Sequence, residues 1–571
     1  MWNTVRHLRR GQVIAQAAHR VRRLYEDPAR LLDEPAGEFP GCQWSPRRAF
    51  LPPMAAREND APSITAGSLR FLGRGEDIGW PPSWSRADLP KLWLYNLHYF
   101  DYLHALDPVE ARVLVDDWIR RHPPARDHVG WEPYPISLRI MNWCSVFFGT
   151  HRAAIDSDPA FRQELWSSLC RQARWLERHV ETHLMGNHLL ENAAALVVAG
   201  TCFAGSEASR WYGAGRKLLQ AQLSEQILPD GGHFERSPMY HTRVVYLLAL
   251  LANGGDEAVR ELVAEPLRRA AAAMTKLTHP DGRIALLNDS AFGIYNPPDE
   301  LAAYSEVPPS AGAGPFALPD TGYFGMRTGD GAYVICDAAP IGPDHQPGHA
   351  HGDMLSFELS VGGHRVVVDS GVYDYEAGPM RAYCRSTRAH NTVEVDGEDQ
   401  CEFWGAFRVA RRGRVREVLW SPGGDGFRLS AWHDGYRRLP GRPVHERTFE
   451  WHGDGDFVIR DTIRSDAPNR FAVRLHLDPQ CGVTALTERT ARIEYGGGRV
   501  LHLDARGEGR LALEDGLYCP TFGTRADTKV ISWHGVAVPG RATCVTMGLG
   551  GTNVGSHMDP EATAGPAAHS H

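Results

Sequence analysis

Residues 348–371 read GHAHGDMLSFELSVGGHRVVVDSG, and within this stretch the chain takes on the periodicity of β-strands. Apolar residues alternate with serine and glutamate from residue 355 to 361, as in a half-buried strand. Gly362-Gly363 then marks a hairpin, and the valines at 366–368 continue as the next strand. Short strands at this spacing predict an antiparallel β-sandwich domain over residues 316–552. Further strands are predicted at 321–327, 332–337, 391–396, 446–451, 456–463, 470–477 and 492–503.

Upstream, residues 91–315 carry helical periodicity, broken by Gly, Pro and Asp clusters. Successive antiparallel helix pairs of this kind build a solenoid or a closed toroid, and the periodicity leaves both open. Residues 1–90 combine a short basic amphipathic helix with Pro- and Gly-rich stretches such as Phe39-Pro40-Gly41, which predicts an arm or wrapping segment. Residues 553–571 predict a disordered tail. The helices are predicted at 108–121, 136–150, 160–183, 187–200, 207–227, 238–253 and 257–278.

The composition argues against several classes of protein, including nucleic-acid-binding, disulfide-rich and membrane-spanning proteins. A net charge of −8 argues against nucleic acid as a partner, because such partners require a basic footprint. The ten cysteines show no C-x-x-C pair, so neither a zinc ribbon nor a disulfide scaffold is indicated. Residues 1–25 lack the apolar core of a signal peptide, and no segment reads as a transmembrane span. These features predict a cytoplasmic location, with the periplasm as the alternative.

Two helix starts carry polar groups suited to chemistry. Asn187, His188 and Glu191 fall within about one turn, where they could hold a carboxylate or tune the histidine. Ser237 suits an N-cap and Pro238 the first helical position, which places Tyr240 where the helix dipole favours a phenolate. The alternatives are a capping Asn beside a solvated His–Glu pair, and an ordinary half-buried tyrosine.

The opening stretch offers donors for a metal ion. His349 and His351 point to one side of an extended segment, so both could bind metal, or one could face a substrate. Asp369 and His390 add an oxygen and a nitrogen from neighbouring strands, which suits a borderline metal ion. The alternative is a surface cluster of polar strand ends.

A further group of residues could contact a sugar. Aromatic rings beside Arg and Asn provide stacking and hydroxyl contacts, and arginines ahead of His390 could meet an acidic substrate. Core aromatics and solvated arginines are the alternative. The candidates are Trp131, Arg139, Asn142, Trp143, Arg385 and Arg388.

The order of these motifs resembles the heparinase II/III family of polysaccharide lyases, from about residue 80 to 420 and more weakly to 550. The chain carries N-H-x-x-E at 187–191, Y-H at 240–241, H-x-H-x-D at 349–353 and, after Asp369, R-x-H-N-T at 388–392. The resemblance implies a multidomain α+β fold, in which an incomplete (α/α) toroid is followed by a large antiparallel β-sandwich domain. It places a substrate cleft at their junction.

The resemblance also implies roles for individual residues. Asn187 and His188 would neutralise a uronate carboxylate, and Glu191 would line the cleft. Tyr240 would be the catalytic acid/base, with His349 as its partner. One zinc ion with a structural role would be bound by His351, Asp369 and His390.

The implied reaction is β-elimination on an acidic, uronic-acid-containing polysaccharide or oligosaccharide. A uronate C5 epimerase is the nearest rival, because it shares carboxylate neutralisation and proton abstraction. A non-catalytic glycan-binding protein of exopolysaccharide biosynthesis and a metal hydrolase are further alternatives. The residues leave open the uronic acid, its linkage and sulfation, endo or exo cleavage, and the oligomeric state.

Overall fold

The computed structural model describes residues 2–33, 44–308 and 312–551. The Pro- and Gly-rich stretch at 39–41 and the predicted tail at 553–571 lie outside these ranges. The longer helices are α2 (Arg10–Tyr25), α6 (Lys91–Tyr99), α7 (Pro108–Arg121), α8 (Pro133–Ser145), α10 (Pro159–His179), α11 (Gly186–Cys202), α12 (Ser206–Gln226), α13 (Pro238–Gly254), α14 (Glu257–Lys276) and α15 (Pro298–Ser305). Short helices are α1 (Trp2–Val5), α3 (Arg30–Asp33), α4 (Ala55–Glu58), α5 (Ala61–Thr65), α9 (Arg152–Asp156) and α16 (Pro379–Arg385).

Each predicted helix of the toroid region is present, with ends set by local capping. The side chain of Asp107 accepts bonds from the first turn of α7, and Glu110 returns a bond to Asp107, which completes a capping box. The α8 helix continues through a π-helical turn at Val146–Thr150, as the prediction of 136–150 requires. Helices pack as pairs, α11 against α12 and α13 against α14, and their apolar faces share one core.

Parts of the described segments 2–33 and 44–90 pack into this helical core. Leu31, Trp44, Ile64 and Trp84 are buried within it. A hairpin that was not predicted, β1 (Ser68–Phe71) with β2 (Arg74–Asp77), lies in the same segment.

After α15 the chain forms antiparallel β-sheets, which match the predicted β-sandwich. Sheets run in the order β11-β12-β13-β14-β21-β18-β17-β16, β19-β20-β15-β8 and β3-β4-β5-β6-β7, and side chains from all three form one core. The strands are β3 (Gly314–Leu318), β4 (Tyr323–Arg327), β5 (Tyr333–Asp337), β6 (Phe357–Val361), β7 (His364–Val367), β8 (Val393–Val395), β9 (Phe403–Trp404), β10 (Arg408–Val409), β11 (Val415–Gly423), β12 (Gly426–His433), β13 (Val444–Trp451), β14 (Phe457–Arg464), β15 (Asn469–His476), β16 (Gly482–Leu486), β17 (Thr490–Tyr495), β18 (Arg499–Gly507), β19 (Arg510–Tyr518), β20 (Ala526–Ala537) and β21 (Ala542–Gly550).

The predicted hairpin forms between β6 and β7, where Val361 pairs with His364. Gly362 and Gly363 both have positive φ, which the turn requires. Residues 492–503, predicted as strand, contain the end of β17 and the start of β18, and Gly496, Gly497 and Gly498 form the turn between them.

A buried carboxylate on β6 joins the two domains. Glu358 accepts bonds from the backbone N–H of Leu286 at 3.0 Å and of Asp369 at 2.9 Å, and it contacts Nε2 of His279 at 3.1 Å. These bonds hold the segment that follows α14 against the sandwich. The segment continues to Asp289, which enters the site described next.

Candidate active site

Asn187 is held at the start of α11 by a buried carboxylate. Its backbone N–H and its side-chain Nδ2 both donate to Glu235, at distances of 3.0 to 3.2 Å. A Cβ on Gly186 would come within 2.2 Å of the same carboxylate, and φ at Gly186 is +60°. Only glycine therefore lets Glu235 approach the first turn of the helix this closely.

His188 lies near three carboxylates and beside an aromatic ring. Its Nδ1 is 3.2 Å from Glu181 Oε1, and its ring lies against that of Tyr134, tilted by 34° with centroids 4.2 Å apart. Burial lowers the pKa of His188, but the carboxylates of Glu181, Glu235 and Glu191 raise it, and the net shift is upward. The arrangement favours an imidazolium cation.

Glu191 was expected to line the cleft, but the structure buries its side chain inside the helical domain. Arg243 donates to both of its oxygens, at 2.6 and 3.0 Å, and both side chains are buried. The reason is that α11 turns Glu191 towards α13, so its charge is balanced inside the helical core.

Tyr240 lies in the first turn of α13, as predicted, and Ser237 Oγ accepts from its backbone N–H at 3.2 Å. Its hydroxyl is 3.2 Å from that of Tyr375, and its ring centroid is 4.0 Å from that of His349. Burial, reinforced by Tyr375 and Tyr295, raises the pKa of Tyr240 well above its usual value. The phenol therefore stays protonated at neutral pH.

His349 and His351 converge on one carboxylate that the sequence motifs did not reveal. Asp289 is 2.9 Å from His349 Nδ1 and 2.8 Å from His351 Nε2, and Arg381 Nη2 donates to it at 2.8 Å. Burial raises the pKa of Asp289, but Arg381 and the two histidines outweigh it and hold the pKa well below the usual range. The only signal in the sequence is a polar triplet, 288–290, after the apolar run 284–287.

Glu235 completes a polar chain across the domain junction. Besides binding Asn187, it lies 3.8 Å from His349 Nε2. Burial raises its pKa, but His233, His349 and the bonds from Asn187 outweigh it, so the pKa is lowered. The chain from Asn187 through Glu235 and His349 to Asp289 thus joins the toroid to the sandwich.

The predicted zinc ligands are buried together, which excludes a surface cluster of strand ends. His390 Nδ1 is 2.7 Å from Asp369 Oδ2, and the His351 and His390 rings are 5.2 Å apart. Two imidazole nitrogens, His351 Nδ1 and His390 Nε2, have no hydrogen-bond partner. Asp369 is turned towards His390, and within the described ranges no group of three His, Cys, Asp or Glu could hold a metal ion. The donors fit a metal in part, and zinc remains a prediction.

Most of the predicted sugar contacts are core residues instead. Arg139 is fully buried, with its guanidinium 4.0 Å above the Trp118 ring and its Nε donating to Gln172. The side chains of Trp131, Asn142 and Trp143 are buried in the same helical core. These predicted contacts are corrected, because α8 is enclosed from Tyr134 to Ser145.

The two predicted arginines differ in position. Arg385 is buried and donates from Nε to the backbone oxygen of Ala350 at 3.1 Å, so it braces the turn between His349 and His351. Burial and neighbouring Arg381 lower its pKa to about 9. Arg388 is exposed, and its contact with substrate remains a prediction.

The fold and the site together define a toroid–sandwich protein with a tyrosine–histidine contact at the junction of its domains. Two family models match it, Heparinase II/III N-terminus over residues 111–298 and Heparinase II/III-like, C-terminal, over residues 310–554. The chain belongs to the heparinase II/III-like family, which confirms the resemblance drawn from the motifs.

Two proteins that are similar in sequence to this chain have names that state different properties. Heparin-sulfate lyase of Pedobacter heparinus is 24% identical over 453 residues, covering 71% of this chain and 65% of that protein, just under two thirds of its length. FtsZ-localized protein C of Caulobacter vibrioides is 27% identical over 447 residues, covering 73% of this chain and 74% of that protein. The name of the first relative states a lyase activity, and the name of the second states a localisation with FtsZ.

A solved structure, heparinase III (BT4657 gene product), shares the fold. It aligns with a TM-score of 0.65 at 17% identity, covering 95% of this chain and 91% of that one. This likeness confirms the predicted fold class, an incomplete (α/α) toroid followed by an antiparallel β-sandwich.

Proposed function

We propose that this protein is a polysaccharide lyase that cleaves a uronic-acid-containing glycan by β-elimination. The observation that carries the proposal is the contact between Tyr240 of the toroid and His349 of the sandwich, whose rings lie 4.0 Å apart. Asn187 is joined to His349 through Glu235, and His188 is the next residue of α11. The class of substrate follows from the lyase relative, whose name specifies heparin sulfate.

Carboxylate neutralisation is assigned to Asn187 and His188. A proton on the carbon beside a uronate carboxylate is too weakly acidic to leave until that carboxylate is screened. The amide of Asn187 and the cation of His188 supply a donor and a positive charge, which stabilise the dianion-like intermediate. Glu235 and Glu181 hold these two side chains in place.

Proton transfer is assigned to His349 and Tyr240. Asp289 accepts from Nδ1–H of His349, which leaves the lone pair on Nε2 free to take the proton. The raised pKa of Tyr240 keeps its phenol protonated, so it donates to the departing glycosidic oxygen. The C–H and C–O bonds break, and an unsaturated uronate forms at the new non-reducing end.

The decisive experiment incubates the purified protein with a panel of uronate polysaccharides and follows absorbance of the conjugated alkene, with mass analysis of products. Absorbance together with shorter, unsaturated products supports the lyase. If the reaction in deuterated water places deuterium on the acidic carbon of the uronate and no alkene absorbance appears, the protein is an epimerase instead. Binding without any turnover on the whole panel establishes a glycan-binding protein.

The charge on His188 predicts a pH dependence. Because the pKa of His188 is raised, activity that needs the imidazolium is present below that pKa and is lost as pH rises through it. Glu181→Gln removes the principal neighbouring carboxylate, so the basic limb of kcat/KM should move to lower pH. Glu177→Gln, a matched change on α10 that pairs with Arg210, should leave the profile unchanged. An unmoved limb in Glu181→Gln contradicts the role of His188.

We further propose one structural zinc ion, which is a Lewis acid when bound and has no step in the reaction. The unpaired His351 Nδ1 and His390 Nε2 are its candidate ligand atoms. Purified protein should contain about one zinc, and chelation should lower its melting temperature. His390→Gln should lose the metal, whereas His445→Gln, a buried histidine bonded to Asp461 at 2.7 Å, should retain it. Metal-free protein with an unchanged melting temperature contradicts the proposal.

A further inference from the structure

The α2 helix is attached to the protein by its polar side and turns its apolar side outward. Gln12 is buried and donates to the backbone oxygen of His345 at 3.3 Å. His19 stacks on His183 with ring centroids 4.2 Å apart, and Arg22 donates to the backbone oxygen of Arg178 at 2.6 Å. This orientation is the reverse of an ordinary surface helix, which buries its apolar stripe.

The outward side is a continuous stripe. At about 100° per residue, the six apolar positions of the stripe fall within an arc of about 120°. Ile14, Leu24 and Tyr25 are 69%, 70% and 82% exposed, respectively. We define the outward stripe as Val13, Ile14, Ala17, Val21, Leu24 and Tyr25.

The charge around the stripe is of one sign. Residues 1–25 contain six arginines and no Asp or Glu, in a chain whose net charge is −8. Arg10 and Arg20 on α2 are exposed, and Arg6 precedes the helix with its side chain also exposed. Arg9 is paired with Glu225 at 2.5 Å, which fixes the start of the helix to α12.

We propose that the outward stripe docks the protein on an anionic lipid bilayer. An apolar helix face bordered by arginines is the chemistry that lies in the headgroup region of such a surface. Within the described ranges, none of the helices has the length and apolar character needed to cross a membrane, so α2 would lie in the plane of the interface. Docking would hold a lyase, or a protein of any other activity, at a membrane.

Vesicle sedimentation with the full chain tests this proposal. Wild type should sediment with vesicles of phosphatidylcholine and phosphatidylglycerol, less with phosphatidylcholine alone, and less at high salt. Val21→Glu and Ile14→Glu should reduce binding to anionic vesicles about tenfold, because each places a carboxylate in the stripe. Gln16→Glu adds the same charge at an exposed position off the stripe and should bind almost as wild type does.

Several results would overturn docking on lipid. Wild type that stays in the supernatant with anionic vesicles contradicts it, as does Val21→Glu that binds as well as Gln16→Glu. A concentration-dependent dimer that Val21→Glu abolishes, in a protein that binds no vesicles, would assign the stripe to a second copy of this chain. Melting temperatures verify that the variants remain folded, which their exposed positions favour.

Discussion

Tyr240→Phe is expected to lower kcat by roughly 10³-fold, within the range for loss of a general acid, while glycan affinity stays nearly unchanged. The substitution removes only the hydroxyl that would protonate the leaving oxygen. The ring and its 4.0 Å contact with His349 remain. Single-turnover kinetics on the best substrate of the panel, with binding measured separately, separates the loss of chemistry from a loss of affinity.

Tyr375→Phe is the matched control, since it removes the other hydroxyl of the same 3.2 Å contact. Tyr240 keeps its phenol in this variant, so kcat should fall less than about tenfold. Equal losses in the two variants would show that the hydroxyl pair acts as a unit. Full activity in Tyr240→Phe would place the acid elsewhere.

Helices and strands were predicted well from the sequence where the apolar residues follow either the helical or the strand period clearly. The α7 helix has its predicted bounds because Asp107 and Pro108 start it and a basic turn ends it. The same logic of capping residues placed Tyr240 in the first turn of α13. Alternation around residues 355–361 found β6, but the edge strand β11, with mostly exposed residues, carried no such signal.

The candidate site was only partly predictable. Asn187, His188, Tyr240 and His349 could be proposed from the sequence because their motifs are local. Asp289 was missed because its partners lie 60 and 62 residues away in the chain, at His349 and His351, and nothing in its own neighbourhood marks them.

Residues of α8 were predicted to contact a sugar but lie in the core, and the physical reason for this error is different. A helix buried on every side has no solvent face, so its polar residues look like a binding face in the sequence. Arg139 instead donates to Gln172 and lies over Trp118. A buried arginine beside a tryptophan therefore imitates a sugar-binding pair.

Asp289→Asn is expected to lower kcat by roughly 10²-fold or more, because the amide no longer fixes the His349 tautomer that leaves Nε2 free. It also leaves Arg381 buried without a counter-charge, a loss of roughly 3–5 kcal/mol in the free energy of unfolding. Kinetics per folded molecule must therefore be compared with thermal unfolding of the same samples.

Asp461→Asn separates the loss of kcat from the loss of stability, because Asp461 is also a buried carboxylate that is bonded to a histidine and an arginine. It accepts from His445 at 2.7 Å and from Arg447 at 2.7 and 2.9 Å, within the sandwich core. Its variant should lose similar stability, by roughly 3–5 kcal/mol, yet retain kcat per folded molecule. If both variants lose kcat equally, the effect of Asp289 is structural. If only Asp289→Asn loses it, the carboxylate positions His349 for proton abstraction.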